Sequence, residues 1–134
     1  YMLPRYRRVV DVVRGAGVGI VGLDSDGYSE PLIPIWLEAG INAHYPFEVQ
    51  ANMDVVRIRE RFGRDLLMWG GVDKRALAQG PAAIDAELER VRPVIEGGGY
   101  VPWTDHSEPP DISFANHCYY MERLHEVCGS TRGR

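Results

Sequence analysis

Four short segments of this 134-residue chain hold residue types suited to acid, base or metal chemistry. They are Asp24-Ser25-Asp26-Gly27, Pro46-Phe47-Glu48, Asp73-Lys74 and Asp105-His106. Each follows a short apolar run, where a strand is expected to end. In barrels and open α/β sheets, reactive groups collect at the carboxyl ends of parallel strands. Asp is a common turn residue, but turns alone explain one or two such acids better than four out of four. The spacing of Asp24 and Asp26 points both carboxylates to one side of an extended segment. With His106 they make a candidate divalent-metal set, or an acid/base set. The bland alternative is that Asp26-Gly27 is a turn and Asp24 caps the next helix. Lys74 is the sole lysine among fifteen basic residues. It pairs with Asp73 or another acid of this rim, or serves as a helix-entry salt bridge.

Elements of two kinds must position these groups. Helical spacing of apolar residues predicts helices over Pro4–Arg14, Pro31–Ala39, Met53–Phe62, Pro81–Glu96 and Phe114–Val127. Short apolar runs predict strands over Val18–Leu23, Ile41–Phe47, Leu66–Trp69 and Tyr100–Thr104. Pro93 is expected to kink its helix or turn the chain, and Gly70-Gly71 to follow the third strand. The tail from Gly129 reads as frayed. Strict alternation of strands and helices implies a parallel sheet covered by helices. Four βα units are about half of an eight-stranded barrel, which typically takes about 250 residues. The expected fold is therefore α/β, a parallel (β/α) half-barrel in one domain over residues 1–134. Such a chain is either the carboxyl half of a longer enzyme or pairs with a copy of itself. A small open sheet is the structural alternative.

Other polar residues read as structural. His44 lies within the second strand and is expected in the core or lining a barrel. His117 and His125 take surface positions, and Cys118 a core position. Tyr119-Tyr120 packs its helix onto the sheet. Arg57, Arg59, Arg61 and Arg64 read as a solvated helix face. Gly97-Gly98-Gly99 stops a helix and is no phosphate loop, since no helix start follows it.

The composition is 45% hydrophobic and 25% charged with a net charge of -4, which excludes a dedicated nucleic-acid binder with a basic face. No apolar run is long enough to span a membrane, and Tyr1–Arg5 lacks the apolar stretch of a secretory signal. Cys118 and Cys128 fall on one helix, separated by roughly 15 Å of rise. That is too far for a disulfide and suits a reducing cytoplasm.

The motifs together resemble the carboxyl half of uroporphyrinogen decarboxylase-like proteins. The residues that carry this are Leu23-Asp24-Ser25-Asp26-Gly27, Pro31-Leu32-Ile33-Pro34, Leu37-Glu38-Ala39-Gly40 and Asn52-Met53-Asp54-Val55. Gly70-Gly71-Val72-Asp73-Lys74, Asp105-His106 and Pro109-Pro110-Asp111 complete the pattern, which covers residues 2 to 128. The resemblance implies the last four strands of a (β/α)8 barrel. It implies a carboxy-lyase acting on a porphyrinogen or related polycarboxylate, without a cofactor. His106, Asp73 and Lys74 are then the catalytic candidates. Asp24, Glu48, Asp105, Tyr45 and Trp103 face the substrate.

The same superfamily contains corrinoid methyltransferases, which hold zinc through a His-x-Cys pair and a later cysteine. The matching positions here are Asp24, Asp26 and His106, an oxygen-rich set that would favour a harder divalent ion. Glu48 would stand behind them. A third possibility is a non-catalytic, self-associating fragment. A homodimer or larger homo-oligomer is expected in every case, because open sheet edges rarely stay unpaired. Neither nucleic acid nor membrane is an expected partner.

Overall fold

A computed structural model describes residues 1–129. Helix α1 spans Leu3–Gly15, with Pro4 in its first turn, where a missing amide proton costs nothing. Strand β1 is Gly22–Asp24, and a short 3-10 turn, Glu30–Leu32, leads into α2, Ile33–Ala39. Strand β2 is Ala43–Tyr45, followed by a 3-10 turn at Val49–Ala51 and helix α3, Val55–Phe62. Strand β3 is Leu67–Val72, then come α4, Lys74–Gln79, and α5, Pro81–Gly97. Strand β4 is Tyr100–Thr104, and α6 is Phe114–Gly129.

The four strands form one sheet in the order β1-β2-β3-β4, and every pairing is parallel. Crossovers between parallel strands are right-handed. With the strands in sequential order, that rule sends all the connecting helices to the same side. The burial pattern agrees. Leu23, His44, Met68 and Tyr100 stand in register across the sheet, with His44 and Met68 buried and Leu23 and Tyr100 half-buried. Their neighbours along each strand point the other way. There Trp69 is 53% exposed and Val101 beside it 56%.

The core lies between this sheet and its helices. Ile58 of α3, Leu77 of α4, Ile84 and Leu88 of α5 and Tyr120 of α6 are fully or almost fully buried. Each such apolar side chain contributes about 1.5–3 kcal/mol through removal from water. Tyr120 does pack α6 inward, while Tyr119 donates its hydroxyl to Asp85 on α5 at 2.8 Å.

Several boundaries differ from expectation. Val18 and Ile20 are exposed and precede β1, which pairs with β2 over three residues. Asn42 holds that approach by accepting from the Val21 amide and donating to the Gly19 carbonyl. Strand β3 runs through Gly70 and Gly71 instead of ending at Trp69. A Cβ at Gly70 would lie 2.1 Å from the Pro46 carbonyl oxygen, and one at Gly71 2.3 Å from Val55. These glycines therefore let the segment after β2 cross the strand closely. Helix α4 was not expected. Asp73 starts it by accepting from the Arg75 amide at 2.9 Å, much as Asp54 caps α3 through Val56. Helix α5 continues through Pro93 to Gly97. Pro93 is exposed near the helix end, and Val91, Val94 and Ile95 around it are buried, which holds the last turn in place.

The arginines of α3 are not simply a solvated face. Glu30 is buried, and its carboxylate is bound by Arg57 at 2.9 Å and Arg61 at 2.7 Å. Arg59 donates to the carbonyls of Gly63, Gly98 and Gly99, closing the turn that ends α5. Among the described residues neither Cys118 nor Cys128 takes part in a disulfide. Among the described residues no helix is long and apolar enough to cross a membrane.

Candidate functional site

Parallel strands deliver their following segments to one edge of the sheet. Asp24-Ser25-Asp26, Phe47-Glu48, Asp73-Lys74 and Asp105-His106 share this rim. Its first part is open to solvent: Asp24, Asp26 and His106 are exposed. Its second part is spent on internal bonds. Glu48 accepts from the Gly27 amide at 3.2 Å, tying the β1 loop to the β2 loop. Asp73 caps α4 and is gripped by the Arg75 side chain, with the closest contact at 2.6 Å. Burial raises the Asp73 pKa, but the Arg75 hydrogen bonds and the charges of Arg75 and Lys74 outweigh it and hold the carboxyl below its usual range. Asp73 is thus a standing carboxylate and not a proton donor.

Asp105 has no exposed surface. It was expected to face substrate, but its carboxylate is turned into the rim. Oδ2 accepts from the Val49 amide at 2.9 Å, and Oδ1 from the Lys74 amide at 3.1 Å and Lys74 Nζ at 3.5 Å. The lysine therefore pairs with the acid of the neighbouring strand, not with Asp73.

Beneath the rim the bare sheet face is apolar. It carries a concavity of about 510 Å³ lined by Ile20, Leu23, Ala43, Tyr45, Leu67, Trp69 and Val101, with Asp24 at its edge. The Tyr45 and Trp69 rings lie 5.1 Å apart at 46°, a contact suited to aromatic packing. Trp103, in register with Gly71, extends the aromatic row to β4 and is 38% exposed. Trp69 was read as no more than a strand residue. A tryptophan placed before two glycines in a strand was the available signal.

Comparison with protein-family models, curated proteins and solved structures returns no match.

The rim geometry does not assemble the metal set. Asp24 and Asp26 follow β1 and His106 follows β4, at opposite sides of the sheet. Three strand spacings amount to about 14 Å, far beyond a shared ion. Among the described residues no three His, Cys, Asp or Glu side chains gather to hold one.

The remaining histidines divide. His44 is buried against Trp36 and Phe47 on the helix side, and its Nε2 lies 3.2 Å from the Ser25 carbonyl. It belongs to the core and steadies the loop that carries Asp24 and Asp26. His117 meets Glu108 at 2.8 Å and is half-buried, not a plain surface residue. His125 is exposed as expected. Cys118 is half-buried.

Proposed function

We propose that this chain is half of a (β/α)8 barrel of the uroporphyrinogen decarboxylase-like type and forms one wall of a carboxy-lyase cleft. The observation that supports this reading best is the aromatic face on the bare side of the sheet, with Asp24 of the rim at the edge of its concavity. Tyr45, Trp69 and Trp103 offer a flat apolar wall, and ionisable groups crown it. A macrocycle or other apolar ring bearing carboxylate arms fits such a surface. Its body stacks on the indoles, and one of its arms reaches the rim.

The chain's residues divide the work. Lys74 holds a departing carboxylate by charge. The bond from that carboxylate carbon to its neighbour breaks, carbon dioxide leaves, and the electron pair stays on the remaining carbon. His106, open to the cleft mouth, delivers the proton that the carbon needs. Asp73 and Arg75 keep the start of α4 fixed, so that Lys74 stays in place. Exposed Asp24 and Asp26 keep much of the rim acidic. They disfavour a second bound carboxylate at this edge. The methyl-transfer alternative lacks comparable support within one copy, where its three donors lie at opposite sides of the sheet.

The test is anaerobic incubation of the chain with uroporphyrinogen, with products resolved by mass. Stepwise loss of carbon dioxide, abolished in His106→Ala while tryptophan quenching by the macrocycle persists, is the expected result. Unchanged turnover in His106→Ala would remove His106 from the chemistry. Absence of both turnover and quenching would sink the whole reading.

A further inference from the structure

The burial of Asp105 asks for an explanation beyond solvation. A buried carboxylate needs hydrogen-bond donors, and the Val49 and Lys74 amides supply two at 2.9 and 3.1 Å. The Lys74 ammonium is a third donor, and it is the longest contact at 3.5 Å. Its side chain is 13% exposed, so it is largely walled in with its charge at the rim. An ammonium has three protons to donate. Among the described residues, Lys74 Nζ has a single hydrogen-bond partner, Asp105. The nearby arginines are committed elsewhere. Arg75 is bound to Asp73, and Arg90 is held by Asp54, Glu87 and the Gly71 carbonyl.

We infer that Asp105 is a positioning residue and that it presents Lys74 Nζ as the receptor for one carboxylate of the ligand. The carboxylate ties together the turn after β2, the start of α4 and the end of β4. The lysine is therefore fixed relative to the Tyr45–Trp69 face instead of swinging on a flexible stem. Asp24, Asp26 and Glu48, elsewhere on the same rim, disfavour a second anionic arm. The ligand class is an apolar ring body with a carboxylate on a short arm. This inference rests on the cleft proposed above but not on the decarboxylation itself.

The chain's single lysine makes the test direct. Amine acetylation followed by peptide mapping reads Lys74 separately from the Tyr1 amino group. The probe is 4-phenylbutyrate, with its uncharged amide as control. At ten times its dissociation constant, the acid is expected to slow Lys74 acetylation about tenfold, and the amide to leave it unchanged. Tyr1 acetylation is unaffected in both cases. In Asp105→Asn, protection by the acid is expected to vanish and basal labelling of Lys74 to rise. If that variant does not fold, Asp105→Glu replaces it, since it keeps the charge and moves it by one methylene. Equal protection by acid and amide, or none by either, overturns the receptor. Protection unchanged in the Asp105 variant overturns the positioning role. Protection without uroporphyrinogen turnover would leave the receptor standing and remove the carboxy-lyase reading.

Discussion

Lys74 Nζ and Asp105 Oδ1 lie 3.5 Å apart although the residues are 31 positions apart in sequence. They join the ends of β3 and β4, and Asp105 reaches further, to Val49 after β2. The pair is unequal. Among the described residues Asp105 serves three donors, whereas Lys74 Nζ serves one acceptor.

Removing the two partners should therefore cost different amounts. Lys74→Met leaves Asp105 its two backbone amides and should cost about 1.5 kcal/mol, the low end for one hydrogen bond to a charged group. Asp105→Ala strands the Val49 and Lys74 amides and the ammonium together, and should cost about 3–5 kcal/mol. Urea denaturation of both variants measures the order. Equal losses would mean that the backbone bonds to Asp105 contribute little.

Gly70 is the most constrained position of the sheet. Its φ is +101°, and an added Cβ would sit 2.1 Å from backbone of Pro46. No rotamer change relieves a clash with backbone. Gly70→Ala should destabilise by more than about 3 kcal/mol, beyond the usual range of single substitutions. A far smaller loss on thermal melting would show that the segment after β2 can move away from β3.

His44 should make stability depend on pH. Burial lowers its pKa from the ordinary 6.5, and this outweighs the opposing Ser25 hydrogen bond and Asp24 charge. The unfolded chain therefore takes up this proton at a higher pH than the folded one. The contribution of neutral His44 is complete above about pH 6.5 and is lost as pH falls from there toward the lower folded pKa. Nδ1 is buried with no hydrogen-bond partner among the described residues, so a proton there gains no acceptor from them. Unfolding free energy measured from pH 8 to pH 5 should fall in the native chain. In a folded His44→Phe variant this component should be absent. A parallel decline in both would assign it to other groups.

The sequence shows the order of elements because glycines separate its apolar runs and each run has a clear period. Asp73-Lys74 and Asp105-His106 were identifiable as rim residues for the same reason, since each follows a strand. The pairing between them was not. It depends on strand register, which places Val72 opposite Thr104 and so brings Lys74 to Asp105. Gly70-Gly71 looked like a stop because the cause of those glycines, the crossing of Pro46 and Val55, is tertiary. The same holds for Arg57 and Arg61, whose partner Glu30 lies 27 and 31 residues away. Helix α4 escaped notice because its six residues bury one apolar side chain, Leu77, too few to set a period.

Self-association is the last expectation, and it follows from what the sheet leaves open. Parallel sheets are normally covered on both faces. Here Trp69, Val101 and Trp103 are exposed on one face, and among the described residues no strand lies beside the outer edges of β1 and β4. A two-fold axis along the strands would set β4 of one copy beside β1 of the other, parallel, at two equal seams. Eight strands closed in this way enclose an interior wide enough for side chains or one small ligand. At the same seams, α1 offers exposed Val9 and Val12 with Arg5 and Arg8, and α6 offers exposed Phe114 with Glu122 and Glu126. The charges are opposite and the apolar groups can meet. Native mass spectrometry should show a dimer, and dilution should shift tryptophan emission toward that of water-exposed indole. Trp69→Arg should give a folded monomer, because its side chain is 53% exposed within one copy and its loss costs that copy little. A monodisperse monomer with water-exposed tryptophan emission at every concentration would mean that a different polypeptide covers this face.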